Sequence, residues 1–249
     1  STILSLKAVL FDLDNTLILF QETRFYESYN RALYAYFKDI MKPDEFAEKL
    51  LHSTHKIVEN DGSLTNLEHF MNSFASGDSQ DKDDILKRFE TFYENEFAQF
   101  QSLMNPAEGA REVMEHSIDS GLKLVIATNP MFPLNVQQMR IDWAGVGDLS
   151  FELITSVENS TYCKPNLQYY LEITNKIDVS PDQCLMVGND PFNDMIASKT
   201  GMKTYLTTDS DEMSIELSRE LAKGKNIEMP KPDFKGQLKD VIPAIDKLT

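Results

Sequence analysis

Asp12-Leu13-Asp14 follows directly on the apolar run Val9-Leu10-Phe11 and sets two carboxylates two positions apart. On an extended chain, positions i and i+2 face the same side, so both acids point into one space. Two carboxylates that close require a cation or a shared proton. With Mg²⁺ between them, Asp12 stays ionised and can act as a nucleophile. Asp14 can then donate a proton to a leaving oxygen and later take one from water. Two more apolar runs end in the same style. Leu124-Val125-Ile126-Ala127 leads into Thr128 and Asn129, whose hydroxyl and amide can donate to phosphate oxygens. Leu185-Met186-Val187-Gly188 leads into Asn189, Asp190 and, four residues on, Asp194, and such oxygens suit a hard divalent cation. Lys164, just before Pro165 at the entrance of an expected helix, could neutralise a transferring phosphoryl group. Each piece alone has a structural alternative: an acidic turn, a Thr-Asn-Pro turn, a solvated lysine, an N-capping loop.

The elements that must position these groups are legible as patterns. Short continuous runs of Val, Ile and Leu read as strands buried on both faces of a parallel sheet. Ligands of such sheets bind beyond the carboxyl ends of the strands. Strands are expected at 7–12, through Thr128, at 151–155, 184–187 and 203–206. Helices are expected at 107–120, 133–142, 166–176, 192–200, within 209–225 and within 236–247. That alternation implies right-handed βαβ units in a doubly wound α/β core. Between Phe20 and Met104 the character changes. Phe25, Tyr26, Tyr29, Leu33, Tyr36 and Phe37, then Ile85, Phe89, Phe92, Tyr93, Phe97 and Phe100, recur at helical spacing. With breaks near Pro43, Asn60–Ser63 and Ser76–Ser79, this reads as about four helices without a strand signal. The expected organisation is an α/β core over 1–19 and 105–249, interrupted by an all-helical domain over 20–104.

Taken in order, these motifs resemble the haloacid dehalogenase superfamily of phosphohydrolases, over residues 5–18 and about 105–207. Phe11-Asp12-Leu13-Asp14-Asn15-Thr16-Leu17 is the most specific match. The resemblance implies that Asp12 forms an aspartyl-phosphate, that Asp14 is the general acid and base, and that Thr128 and Lys164 bind the phosphoryl group. It implies Mg²⁺ held by Asp12, the Asp14 main-chain carbonyl and the 189–194 loop, and it makes residues 20–104 a cap over the substrate. Two departures stand out. Gly188 is followed by Asn189 where the family has an Asp, which turns attention to Asp190 as metal ligand, with Asp194 a ligand through water or an orienter of Lys164. Pro130 also removes one main-chain donor near the phosphate. Dehalogenating members lack the second acid, so Asp14 favours phosphate-ester hydrolysis over carbon–halogen cleavage, because an alcohol leaving group needs a proton.

Composition sets the outer bounds. The 249 residues carry a net charge of −16, which argues against nucleic-acid and anionic-membrane partners. Only two cysteines, Cys163 and Cys184, suit a reducing compartment, and Cys163 reads as a bystander. With no 18-residue apolar run, a cytoplasmic protein is expected, as a monomer or weak homodimer acting on a small phosphorylated substrate. His52 and His55 lie three apart, but nothing in the sequence completes a metal site around them. Alternatives are a phosphomutase of the same superfamily, a catalytically silent binding protein on this fold, and a signalling receiver domain, which is about half this length and lacks a helical insert.

Overall fold

The computed structural model describes residues 5–77, 81–212 and 223–249. Its centre is a six-stranded sheet. The strands are β1 (Ala8–Phe11), β4 (Lys123–Ile126), β5 (Leu153–Ile154), β6 (Cys184–Gly188), β7 (Lys203–Thr207) and β8 (Phe234–Gly236). Their order is β5-β4-β1-β6-β7-β8, and every neighbouring pair is parallel. The remaining strands, β2 (Ile18–Leu19) and β3 (Asn105–Pro106), form a separate antiparallel pair. From β1 the chain builds outward on one side through β4 and β5, then returns to the other side through β6, β7 and β8. The order therefore reverses at β1, the place where open α/β sheets form ligand crevices.

Residues of β1 alternate between two cores. Val9 and Phe11 pack with Val113 and Met114 of α5 (Ala110–Asp119) and with Val241 and Ile245 of α8 (Val241–Leu248). Ala8 and Leu10 face Tyr169, Tyr170 and Ile173 of α7 (Leu167–Ile177) together with Ile196 and Ala197. Both faces are covered, which is why the strand sequences read as continuous apolar runs. Burial of each large side chain contributes about 1.5–3 kcal/mol.

Between β2 and β3 lie α1 (Glu22–Tyr34), α2 (Pro43–Val58), α3 (Asn66–Phe74), α4 (Lys82–Asn95) and a 3₁₀ segment (Phe97–Leu103). Thr65 caps α3 by accepting from the Glu68 N–H, and Asp81 caps α4. The aromatic stripe packs inward as a cluster of Phe37, Phe46, Phe74 and Phe89. A second cluster of Phe25, Tyr29, Tyr93 and Phe97 receives Phe132 from a core loop. The helical segment is tied to the core by α3: Asn66 N donates to Ser160 O at 2.8 Å and Leu67 N to Val157 O at 2.8 Å. The Asn66 amide also reaches the carbonyls of Pro130 and Tyr162, at 3.2 and 3.3 Å.

Several expectations need correction. The β2–β3 pair had no sequence signal, since two-residue strands show no period. The helix expected from 107 starts at Ala110: Gly109 sits at φ 90°, and a Cβ there would lie 2.8 Å from Lys239 Cβ. The segment expected as a helix at 192–200 is 3₁₀ over Met195–Thr200, six residues closed by Gly201 at φ 103°. In 209–225, residues 209–212 are not helical and 213–222 lie outside the described residues. The tail adds an edge strand, β8, before a 3₁₀ turn (Leu238–Asp240) and α8, with Pro243 in the first turn of α8 where its missing N–H costs nothing. The 133–142 helix is α6, Leu134–Trp143. No helix among the described residues is long and apolar enough to cross a membrane.

Candidate active site

Register brings the motifs together. Phe11 pairs with Ile126 on one side and Val187 on the other. One step on, Asp12 N donates to Val187 O at 2.9 Å, and Ala127 N to Phe11 O at 2.7 Å. Asp12, Thr128 and Asn189 thus leave three adjacent strands at the same edge. Asn15 turns the chain there with φ 58°, a left-handed conformation that asparagine tolerates. Its Oδ1 accepts from Phe20 N at 3.0 Å.

Lys164 is the hub. It is buried, and its Nζ lies 3.1 Å from Asp12 Oδ1 and 2.7 Å from Asp194 Oδ1. The other Asp194 oxygen accepts from Asp190 N at 3.0 Å, a close approach that requires Gly188. A Cβ on Gly188 would lie 2.3 Å from Asp194 Oδ2. Two buried carboxylates share one ammonium, so the cluster keeps excess negative charge. Burial pushes Asp194 up to about 6, with Asp12 adding to the rise and Lys164 opposing it. Burial raises Asp12 as well, again against the pull of Lys164. Burial works against the Lys164 ammonium, but Asp12 and Asp194 together hold its pKa well above the ordinary value.

On the other side of Asp12, oxygens converge. The Asn189 amide lies 3.0 Å from Asp12 Oδ2, 3.1 Å from the Asp14 carbonyl and 3.3 Å from Thr16 Oγ1. With nitrogen inward, it donates to Asp12 and Asp14. With oxygen inward, a carboxylate, a carbonyl and an amide oxygen meet, and the Thr16 hydroxyl lies 3.4 Å from Asp12 Oδ2 and 3.3 Å from Asn189 Oδ1 as a long donor. Three hard oxygens beside uncompensated buried charge are a fitting partial shell for Mg²⁺, whose remaining positions are commonly water or substrate. Among the described residues, no three His, Cys, Asp or Glu side chains converge, so the fit depends on the carbonyl and on Asn189. Asp190 caps its own turn, its Oδ1 accepting from Phe192 N at 2.8 Å and Asn193 N at 2.9 Å. Asp194 is turned toward Lys164. His52 and His55 are exposed on α2.

The loop after β4 is pinned from behind. Thr155 Oγ1 accepts from Thr128 N at 3.1 Å and donates to Thr128 O at 2.6 Å, while the Tyr169 hydroxyl donates to the same carbonyl at 2.8 Å. Asn129 Oδ1 accepts from Lys164 N at 2.9 Å and Cys163 Sγ at 3.1 Å. Burial pushes the Cys163 thiol up to about 12, so it stays protonated.

One residue had no sequence signal. Arg140 of α6 is 1% exposed and forms an ion pair with Asp14, whose side chain is 27% exposed. Its Nη1 donates to Gln137 Oε1 at 2.9 Å, and its guanidinium lies 5.2 Å from the centre of the Phe132 ring. Burial pulls its pKa down to about 9, with Asp12 pulling it back up. Thr155 and Tyr169 were missed too, although a threonine at the end of the expected 151–155 strand was a usable hint.

Known proteins agree with this architecture. Residues 9–207 match the haloacid dehalogenase-like hydrolase family. Pyrophosphatase PpaX of Bacillus cereus is 21% identical over 247 residues, spanning 98% of both chains. A putative beta-phosphoglucomutase from Thermotoga maritima superposes with a TM-score of 0.56 at 18% identity, covering 98% of this chain and 100% of that one. L-2-haloacid dehalogenase from Xanthobacter autotrophicus gives 0.56 at 20% identity, with the same coverage. A predicted phosphoglycolate phosphatase from Haemophilus somnus gives 0.57 at 15% identity, over 98% and 99% of the two chains. At these identities the structural likenesses speak for the fold, and the family match spans most of the chain: it belongs to the haloacid dehalogenase-like hydrolases.

Proposed function

We propose that this hydrolase is a Mg²⁺-dependent phosphatase that acts on a small phosphorylated molecule through an aspartyl-phosphate on Asp12. The observation that carries the reading is the pairing at Asp12: Oδ1 on Lys164, Oδ2 beside the Asn189 amide, which also meets the Asp14 carbonyl. Asp12, the Asp14 carbonyl and, with its oxygen turned inward, Asn189 would hold the metal. When bound, Mg²⁺ neutralises phosphoryl charge and keeps Asp12 ionised.

Asp12 Oδ1 attacks phosphorus, the bond to the leaving oxygen breaks, and Asp14 supplies the proton to that oxygen. Asp14 then takes a proton from water as the water oxygen attacks the same phosphorus, which frees phosphate and restores the Asp12 carboxylate. Lys164, Thr128 and the Asn129 amide neutralise and orient the phosphoryl oxygens. Asp194 positions Lys164, and Arg140 positions Asp14. Residues 20–104 act as a cap that excludes bulk water, in keeping with their contacts to the Pro130 and Tyr162 carbonyls.

Phosphate release from metal-stripped protein, with and without added Mg²⁺, tests the reading, with Asp12→Asn as control. Mg²⁺-dependent turnover lost in Asp12→Asn is expected, and unchanged turnover in that variant refutes it. Isomerisation of a sugar phosphate without net phosphate release would instead identify a phosphomutase.

A further inference from the structure

A cleft of about 920 Å³ lies between the four helices and the core loops at 131–135 and 157–158. That volume is in the range of sites that take a small molecule. Its floor, formed by Ile57, Val157 and Met131, packs on Cys163, the neighbour of Lys164. Phe132 forms another wall and carries the guanidinium that pairs with Asp14. Behind the floor thus stands Cys163, the chain neighbour of Lys164, and behind the Phe132 ring stands Arg140, which supports the acid. Leu51, 61% exposed, adds an apolar rim.

The charge of the lining is selective. Among the described residues that line the cleft there is no Lys, Arg or His, while Glu90, Glu94 and Glu158 are present. A second anionic group on the substrate, such as another phosphate or a carboxylate, would find repulsion and no counter-charge. Much of the remaining polarity is spent within the protein. Tyr29 and Tyr93 hydroxyls bond each other at 2.7 Å, Tyr34 donates to Met41 O, and Thr54 to Leu50 O. These hydroxyls therefore have little left to offer a hydroxyl-rich sugar in exchange for its lost water. The walls point the same way: Phe46, Phe70, Phe89 and Phe132 present aromatic surface to the cleft, which suits an aromatic leaving group.

We infer that the cleft holds the leaving group, and that the substrate is a phosphomonoester of an uncharged, bulky apolar alcohol of aromatic type. This rests on the phosphatase reading above, and the test separates the two. Rates of Mg²⁺-dependent phosphate release are compared for phenyl phosphate, 2-naphthyl phosphate, pyrophosphate and phosphoglycolate. Binding of 2-naphthol to metal-free protein is followed by its fluorescence. The second ring should raise kcat/KM about tenfold over phenyl phosphate, since leaving-group acidity is similar and the added apolar surface is buried. Both aryl esters should exceed pyrophosphate and phosphoglycolate. Ala47→Trp, on the cleft side of α2, should collapse the naphthyl-to-phenyl ratio and weaken naphthol binding. Pyrophosphate or phosphoglycolate turning over faster than 2-naphthyl phosphate overturns the inference and leaves the phosphatase standing. Equal aryl rates with no naphthol binding do the same. Phosphate released from none of the esters refutes the phosphatase, and naphthol binding sensitive to Ala47→Trp then still supports an aromatic ligand for the cleft.

Discussion

The Asp14–Arg140 pair makes an asymmetric prediction, because its two partners are unequally buried. Arg140 is 1% exposed and Asp14 27%. Removing one member of a buried ion pair costs about 3–5 kcal/mol, since the survivor is left uncompensated. In Arg140→Met the survivor is Asp14, which keeps contact with water, so the loss belongs at the low end, about 3 kcal/mol. In Asp14→Asn the survivor is a guanidinium sealed from solvent, its remaining stacking partner the Phe132 ring, and the loss should reach about 4 kcal/mol or more. The double variant removes both charges and should be less destabilised than either single one, because an apolar replacement of a buried pair is close to neutral. Urea unfolding of metal-free protein, followed by circular dichroism at pH 7.5, gives the three values, provided the slope with denaturant is unchanged. A loss below about 1 kcal/mol in Arg140→Met, or an Asp14→Asn loss smaller than that of Arg140→Met, would refute the pairing.

Three other perturbations test the site. Gly188→Ala forces a methyl into Asp194 Oδ2; it should release Lys164 from its position, cut phosphate release at least tenfold and lower the melting temperature, whereas wild-type turnover would show that Asp194 does not position the lysine. Asn189→Asp adds a carboxylate beside Asp12 Oδ2; isothermal titration should show tighter Mg²⁺ binding and metal-free unfolding a less stable protein, and unchanged affinity would remove residue 189 from the metal shell. In the metal-free protein, Asp194 sits near 6 rather than its ordinary 3.8, through burial and then Asp12. A raised carboxyl binds its proton more tightly folded than unfolded, so stability should fall as pH rises from 4 to 6, by about 3 kcal/mol for this group. Asp194→Asn should flatten that slope in pH-dependent urea midpoints, and an unaltered slope would count against the assignment.

Much of the site was written locally. Each motif is a few residues at the end of a strand, and parallel pairing of β1 with β4 and β6 converts those ends into one edge. Apolar runs announce such strands because both faces are buried, so Asp12, Thr128 and Asn189 could be placed together without coordinates. Lys164 followed from its place before α7, although nothing in its neighbourhood told which carboxylates it would meet.

Other features depended on packing between distant segments. Arg140 lies on a helix that also buries Gln137, Val136 and Ile141, so its sequence shows no clean apolar face and the arginine reads as a surface residue. Only the fit of α6 against the Asp12–Asp14 turn turns it inward. Asn66, for which the sequence offered no signal, is buried and holds two core carbonyls. The cleft is the clearest case. Spacing identifies the apolar faces of helices, but a side chain that fills a core and one that lines an open space carry the same pattern. The sequence by itself therefore determined the apolar strands that carry the site, their chemical edge and the family. Whether the helices close on one another or leave room for a ligand was decided by their relative placement, which depends on long-range contacts that no local pattern encodes.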